Sequence, residues 1–307
     1  MDEWGLAGVA LVLMIGYAAV SGRLASTPVT QAMVFVAVGP LVGNRVLHLV
    51  EADAAGQFVR HLAEATLALV LFCDAVRVNL HRLRRESLIP ARLLGIGLPL
   101  TIVAGTLAGL ALLPGLDLWT AAALGGSGFI AAFVAGITFG AVADAQAEPT
   151  TFLAEQSGEL LNAVTFLLFG AVLLGPALGD PDWRIIAYAV LSLTVVRMLP
   201  VALAMVGTGM RRVTVGFLGW FGPRGLASIV FVLLLVEQTG LPERPLLLAV
   251  VTWTVALSVY AHGLTALPGA NRYADWYAAH AHHHEAMPES APVPEPRPRL
   301  PARSSGP

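Results

Sequence analysis

Residues 213–236 read VTVGFLGWFGPRGLASIVFVLLLV, an apolar stretch whose one charged side chain, Arg224, stands between Pro223 and Gly225. The hydrocarbon core of a membrane is about 30 Å thick and roughly 20 helical residues cross it, so this stretch is long enough to span. Gly222, Pro223 and Gly225 lie near its centre and predict that the helix is interrupted there. An arginine at that depth is costly unless it is paired or hydrated, which favours a functional break over a kink used only for packing.

The composition of the whole chain also indicates a membrane protein. Of its 307 residues, 56% are hydrophobic and 12% are charged, whereas roughly 25% are charged in soluble domains. Apolar runs that are long enough to span, or nearly so, number about nine. They are Leu6–Val20, Thr30–Leu47, Leu62–Val78, Leu88–Leu113, Trp119–Val142, Leu160–Leu178, Ile185–Val206, Val213–Val236 and Leu246–Leu267. We therefore predict an all-α, polytopic membrane protein with about nine transmembrane helices in a lipid bilayer.

The distribution of arginine predicts the orientation, because loops rich in basic residues stay in the cytoplasm. Arginines occur at Arg23, throughout Arg77–Arg92, and at Arg211 and Arg212. Placing these loops inside the cell puts the N-terminus outside and the C-terminus in the cytoplasm. The loop Ala143–Gly158 then also falls inside although it is acidic, and acidic residues weigh little in this rule. We predict a multi-pass protein of the cell membrane.

The chain changes in character after residue 270. Residues 271–307 are rich in proline, alanine, serine and histidine, which predicts a disordered cytoplasmic tail behind a transmembrane domain of residues 1–270. The tail histidines define no ligand geometry, so a solvated segment is favoured over a metal site. The sequence has no soluble-enzyme or cofactor motif, and its net charge of −2 gives no sign of nucleic-acid binding. We predict no enzyme activity, no catalytic or metal site, no cofactor and no nucleic-acid partner.

Charged residues in or near the spans are candidates for the path of an ion. Arg197 lies in the middle of a span, where it requires an acidic partner or water, and a functional role is favoured. Glu155 and Glu159 are one helical turn apart at the start of a span, and they fit a functional pair and stabilisers of the helix dipole equally well. Asp74 lies close before Arg77, which favours an interfacial ion pair.

One histidine lies in the last span. His262 is next to Gly263, and a hydrogen-bonded packing histidine is favoured over a proton carrier although imidazole titrates in the physiological range. The predicted ion-pathway candidates are therefore Asp74, Glu155, Glu159, Arg197, Arg224 and His262, with Gly222, Pro223 and Gly225 forming the interrupted helix.

Six stretches of the chain form an ordered set. They are LALVLFCDA at 67–75, RLLGIGLPLT at 92–101, GFIAAFVAG at 128–136, TFLLFG at 165–170, WFGPRGLA at 220–227 and TVALSVYAHGLT at 254–265. Through these stretches the chain resembles the bacterial monovalent cation/proton antiporters of the sodium/proton exchanger type, over about residues 5–270.

The resemblance implies a homodimer that exchanges a monovalent cation, Na⁺ or K⁺, for protons. It also implies a dimerisation domain and a mobile core domain with two crossing, interrupted helices, of which Gly222–Gly225 resembles the second. In that family the first carries a Thr-Asp-Pro motif, and the next helix carries an Asn-Asp or Asp-Asp pair whose aspartate binds the ion and the proton in turn. Arg197 resembles a family arginine that pairs with an acid on another helix, and Glu155 or Glu159 is the acid available here.

Neither aspartate motif occurs in this sequence. The stretch Pro114–Trp119 resembles an outer loop of the family and leads through residues 120–125 into the start of a much later helix. This predicts an internal deletion of about four helices of roughly 20 residues each. Exchange needs a carboxylate that holds either a proton or a cation. Because that carboxylate is missing, the sequence also favours an alternative, a non-transporting membrane protein that is a degenerate antiporter or a dimerisation partner.

Overall fold

The computed structural model describes residues 3–24, 27–43, 52–76, 92–112, 148–179, 181–222, 225–238 and 244–281. Within these ranges the chain is helical and contains no strand. Three helical stretches are long and apolar enough to cross a membrane by length and composition, namely Gln156–Ala177, Trp183–Ala204 and Arg244–His280. The predicted all-α, polytopic membrane fold is confirmed.

Three helices form the N-terminal part of the fold. They are α1 (Glu3–Leu24), α2 (Gln31–Val42) and α3 (Ala52–Val76). α2 begins after Thr30, whose Oγ1 accepts a hydrogen bond from the Met33 N–H at 3.4 Å and so caps the helix. These helices overlap the first three predicted spans, although α3 begins earlier than predicted.

Two helices in the middle of the chain adjoin π-helical turns. α4 (Leu98–Leu112) follows such a turn at Leu93–Gly97. α5 (Glu148–Leu168) continues into another at Phe169–Leu174 and ends with the helical turn Gly175–Ala177. The predicted span Trp119–Val142 and the predicted deletion near residues 120–125 lie outside the described residues and stay predictions.

The C-terminal half contains one bent span, one interrupted span and one long helix. The elements are α6 (Trp183–Leu193), α7 (Val195–Ala204), α8 (Arg212–Trp220), α9 (Leu226–Gln238) and α10 (Arg244–Ala281). α6 and α7 meet at Thr194, whose φ of −103° and ψ of −91° leave the helical region. The sequence did not indicate this bend, since neither glycine nor proline adjoins Thr194.

The main core lies where α2 crosses the π-helical turn that follows α5. Phe35 and Phe169 are among its fully buried side chains. A Cβ added to Gly39 would lie 2.7 Å from the backbone N of Ala171, so the two backbones approach each other only because residue 39 is glycine. α10 packs on both of these elements, and this core is the scaffold that positions it.

The predicted boundary of the tail at residue 271 falls inside α10, which continues to Ala281. Tyr273 lies in this extension and stacks on Phe217 of α8 with ring centroids 4.6 Å apart. The hydroxyl of Tyr273 also lies 3.1 Å from Oγ1 of Thr214. These contacts explain why residues 271–281 are helical despite the composition that follows. Residues 282–307 lie outside the described residues, where the disordered tail stays a prediction.

Candidate functional site

The interruption between α8 and α9 falls where the sequence predicted it. The helix ends at Trp220 and resumes at Leu226, and Phe221 has the non-helical angles φ −78° and ψ 72°. Gly222 is also outside the helix, whereas Pro223 and Arg224 lie outside the described residues. At a rise of 1.5 Å per residue the 9 residues of α8 cover about 14 Å, roughly half the hydrocarbon thickness. α8 is therefore about half as long as a complete span.

Two backbone hydrogen bonds finish α8 at this point. The Phe221 N–H donates to the Phe217 carbonyl at 2.9 Å, and the Gly222 N–H donates to the Trp220 carbonyl at 2.8 Å. On the far side, α9 starts with the Ser228 N–H donating to the Gly225 carbonyl at 3.0 Å. The described residues on either side of positions 223 and 224, namely Phe221, Gly222 and Gly225, are thus outside the helices.

Arg197 lies directly against the interruption. Its guanidinium occupies the space that a side chain on Gly222 would need, because an added Cβ would overlap Nη2, Cζ and Nε. The Nε atom is buried and has no hydrogen-bond partner among the residues that the structure describes. α7 packs against α8, and this packing carries the arginine to the break. A side chain at residue 222 would therefore have to displace the guanidinium, and the structure brings these two predicted residues together.

Of the two predicted acidic partners of Arg197, Glu159 is the one whose side chain the structure describes, and it is not in contact with Arg197. Glu159 is exposed on α5, a helix that packs mainly against α2 and α3. Glu155 lies in the backbone of the same helix, and the position of its side chain is outside the described part of the structure. Asp74 is exposed near the end of α3, and its predicted partner Arg77 lies outside the described residues. The Arg197–Glu155 pairing stays a hypothesis.

His262 faces the interruption from α10. It is buried, and its ring stacks on Trp220 with centroids 5.0 Å apart. Its Nε2 lies 2.9 Å from the Trp220 carbonyl oxygen. Its Nδ1 lies 3.1 Å from Oγ of Ser258 and 2.9 Å from the Ser258 carbonyl oxygen. Both ring nitrogens therefore have polar partners, and the partner of Nε2 is the carbonyl of Trp220, the last residue of α8.

Three residues of this arrangement were missed by sequence reasoning. The Trp220 indole N–H donates to Oγ1 of Thr265 at 2.8 Å, and Ser258 contacts the His262 ring. The spacing of Ser258, His262 and Thr265 is the signal that could have found them, because residues four and three positions apart share one face of a helix. A polar face in an otherwise apolar span predicts a polar partner within the membrane.

An open groove runs beside this site between α7 and α8. Its volume is about 910 Å³, and its lining is mostly aliphatic and methionine side chains. Arg212 is the charged residue that lines it. Among the residues that the structure describes, no cluster of three or more His, Cys, Asp or Glu side chains is placed to hold a metal ion.

Comparison with known proteins identifies the family. The family model described as the transmembrane domain of sodium/hydrogen exchangers matches residues 110–270, just over half of the chain. The chain belongs to the sodium/hydrogen exchanger family. The matched region of this exchanger-family chain contains α5 to α9 and α10 as far as residue 270, and with them Arg197, the interruption and His262. Asp74 lies before it.

One solved structure gives the same assignment at the level of the fold. The structure is similar to that of the sodium proton antiporter MjNhaP1 from Methanocaldococcus jannaschii at pH 8, with a TM-score of 0.71 and 14% sequence identity. The similarity covers 86% of this chain and 96% of that chain. At this identity it shows a shared fold alone. No curated protein matches this exchanger-family chain.

Proposed function

We propose that this chain exchanges a monovalent cation, Na⁺ or K⁺, for protons across the cell membrane, and that the ion passes the interruption between α8 and α9. Membership of the sodium/hydrogen exchanger family supports cation/proton antiport as the general activity. The observation that carries the proposal for this particular site is the end of α8, about half a span from its start, beside Arg197. Interrupted helices near the bilayer midplane present carbonyl groups and helix ends to ions in many secondary transporters.

The charges around the interruption suit a site that accepts and releases a cation. The C-terminal end of α8 carries a partial negative charge from its last carbonyl groups, and this charge attracts cations. Arg197 places a fixed positive charge beside the same end. The arginine therefore opposes tight binding of a second cation at the interruption, and a site that holds its ion weakly releases it readily. Glu155, Glu159 and Asp74 are the carboxylates to test as the group that exchanges a proton.

A second candidate is a non-transporting membrane protein. The sequence contains neither the Thr-Asp-Pro motif nor the Asn-Asp or Asp-Asp pair that the family resemblance implies for ion binding. Without that aspartate, the competition between a cation and a proton requires another carboxylate. In this alternative the chain retains the antiporter fold as a degenerate antiporter or as the dimerisation partner of a full-length one.

The experiment that separates the two candidates is collapse of a pH gradient by Na⁺ or K⁺ in inside-out vesicles that contain the full chain. Exchange predicts dequenching of a pH-sensitive dye above the level of empty-vector vesicles, and loss of that signal in Arg224→Ala. Arg184→Ala is the matched control, because Arg184 is exposed at the start of α6 and lies over the Trp183 ring. The absence of a signal from an inserted, stable chain would support the non-transporting alternative.

We further propose a homodimer with an extracellular N-terminus and a cytoplasmic C-terminus. The family resemblance supports the dimer, and the arginines that follow the first, third and seventh predicted spans support the orientation. Labelling of single cysteines placed at residues 2 and 300 with an impermeant thiol reagent, in a Cys73→Ala background, tests the orientation. Labelling of position 300 in intact cells would overturn it.

A further inference from the structure

α10 presents two different faces near the interruption. His262 and Thr265 contact Trp220 at the end of α8. Tyr260 and Gly263 contact Met33 of α2. We infer that His262 is a positioning residue, which donates its Nε2–H to the Trp220 carbonyl and thereby fixes the place at which α8 ends. This inference deepens the proposed function, and its only dependence on that function is that the ion passes this interruption.

The location of the imidazole proton follows from its partners. The atom opposite Nε2 is the carbonyl oxygen of Trp220, which only accepts hydrogen bonds, so a bond at 2.9 Å requires a hydrogen on Nε2. In the neutral ring, Nδ1 then accepts from the Ser258 hydroxyl at 3.1 Å. In the doubly protonated ring, Nδ1 donates to the Ser258 carbonyl at 2.9 Å. The bond to Trp220 is the same in both states, so it does not depend on the charge of the ring.

The Trp220 carbonyl needs a partner of this kind. The last carbonyl groups of a helix have no partner within the helix, and a hydrocarbon environment offers no water to replace one. The Gly222 N–H supplies one hydrogen bond to this oxygen, and His262 supplies a second to its other lone pair. His262 therefore supplies a hydrogen bond from another helix to the carbonyl at which α8 ends.

A second bond fixes the orientation of Trp220. Its indole N–H donates to Oγ1 of Thr265, one turn further along α10. The ring also stacks on His262 with an interplanar angle of 28°. The backbone and the side chain of Trp220 are thus both held by the same face of α10. Arg197 is the charged side chain described at this place, and it contacts the interruption at Gly222, from α7.

α10 connects the end of α8 to the buried core of the protein. The Tyr260 hydroxyl donates to the Met33 carbonyl at 3.2 Å. A Cβ added to Gly263 would lie 3.2 Å from Cγ of Met33 and 3.4 Å from Oγ1 of Thr30, so α10 and the start of α2 are in close contact there. The chain of contacts α2–α10–α8 therefore sets the end of α8 relative to the buried core.

The test measures the position of the interruption without requiring transport. In a Cys73→Ala background, Phe221→Cys with Gly269→Cys places one thiol at the end of α8, next to the interruption, and the other on α10, because the Phe221 ring fills the space next to Gly269. Thr214→Cys with Tyr273→Cys is the control pair, since these two side chains meet at the start of α8. The rate of reaction with a short bis-methanethiosulfonate is measured in membranes for both pairs, with His262 and with His262→Leu, His262→Gln and His262→Asn.

The positioning role predicts that His262→Leu slows cross-linking of the pair at the interruption about tenfold, which corresponds to a change of about 1.4 kcal/mol. His262→Gln keeps a donor of similar reach, so its rate stays within about twofold of the parent. The control pair keeps its rate in both variants. If the leucine variant does not accumulate, the shorter amide of His262→Asn replaces it.

An unchanged rate in the leucine variant, or an equal loss in the leucine and glutamine variants, would overturn the role of the Nε2–H. Because cross-linking is independent of the dye assay, a chain that does not exchange ions still tests this inference. If the chain exchanges ions but the His262 variants do not change the cross-linking rate, the inference is wrong and the proposed function still stands.

Discussion

Two spans of this protein lose their helical geometry in the membrane region, and they do so in different ways. At Thr194 the hydrogen bonds of the helix continue: the Thr194 N–H donates to the Val190 carbonyl at 3.0 Å, and the Met198 N–H donates to the Thr194 carbonyl at 2.7 Å. At Trp220 the helix ends, and the His262 ring of another helix lies 2.9 Å from the Trp220 carbonyl oxygen, while the Arg197 guanidinium lies against Gly222. A bend that keeps its hydrogen bonds needs nothing from other helices, whereas an interruption that ends them needs polar side chains from its neighbours. Only the second kind presents a helix end to an ion.

The largest expected effect comes from filling the space at Gly222. Gly222→Val places a side chain where the guanidinium of Arg197 lies, and overpacking of this kind costs about 1–3 kcal/mol. We expect a lower unfolding temperature in detergent and loss of any exchange signal. Gly216→Ala is the control, since a Cβ there meets nothing within 4 Å.

The double variant Gly222→Val with Arg197→Ala sharpens this test. Removing the guanidinium makes room for the valine, so the unfolding temperature should recover at least part of its loss. A double variant that is less stable than Gly222→Val alone would show that the steric account of Gly222 is wrong.

The next effect concerns the charge of Arg197 beside the interruption. Removing one partner of an ion pair within the membrane leaves the other charge uncompensated, so if Glu155 pairs with Arg197, either Arg197→Glu or Glu155→Arg lowers membrane abundance severalfold. Reversal of both charges should restore it. The same exchange with Glu159, which is exposed, serves as the control and should restore nothing. A Glu155 double variant that is no more abundant than the single variants refutes the pairing.

A smaller effect is expected where α10 holds the Trp220 side chain. Trp220→Phe keeps an aromatic ring but removes the indole N–H that donates to Thr265 at 2.8 Å. The loss of one hydrogen bond corresponds to about 0.5–1.5 kcal/mol, which should appear as a modest decrease in unfolding temperature. Thr265→Val removes the acceptor instead. If the two changes concern the same bond, the double variant loses less than the sum of the single variants.

The smallest effect should come from the bend at Thr194. Its Oγ1 donates to the Val190 carbonyl at 2.7 Å, a carbonyl that the backbone already satisfies. Thr194→Ala should therefore change the unfolding temperature slightly and leave exchange within about twofold of the parent. If Thr194→Ala lost as much exchange as Gly222→Val, the bend would matter for exchange as much as the interruption, and this prediction would be wrong.

Local sequence patterns predicted the interruption of the helix, but they did not predict the bend at Thr194 or the full length of α10. Gly222 and Gly225 marked the interruption because glycine and proline weaken a helix wherever they occur. The bend at Thr194 was not predicted, because the residue types next to it give no local reason for a departure from helical geometry. The helix α10 continues past the predicted tail boundary at residue 271 for the same reason: Tyr273 contacts Phe217 and Thr214 of another helix.

For the candidate functional residues, the sequence likewise identified the residues but not their partners. Arg197 and His262 stood out because an ionisable group in an apolar span is costly and requires a partner. The identity of those partners was not contained in the spacing of the sequence. Gly222 and the Trp220 carbonyl belong to a different helix from either residue, and a backbone carbonyl has no sequence signature at all.

The sequence by itself determined that this chain is a bundle of membrane helices with one interruption in the exchanger-type span at Gly222–Gly225. Apolar length and the backbone chemistry of glycine and proline are local properties, and they act before any helix meets another. Tertiary structure alone decided what surrounds the interruption, because contact between α7, α8 and α10 depends on how whole helices pack. That packing set Arg197 against Gly222 and His262 against Trp220, and it thereby turned a weak point of one helix into the candidate site.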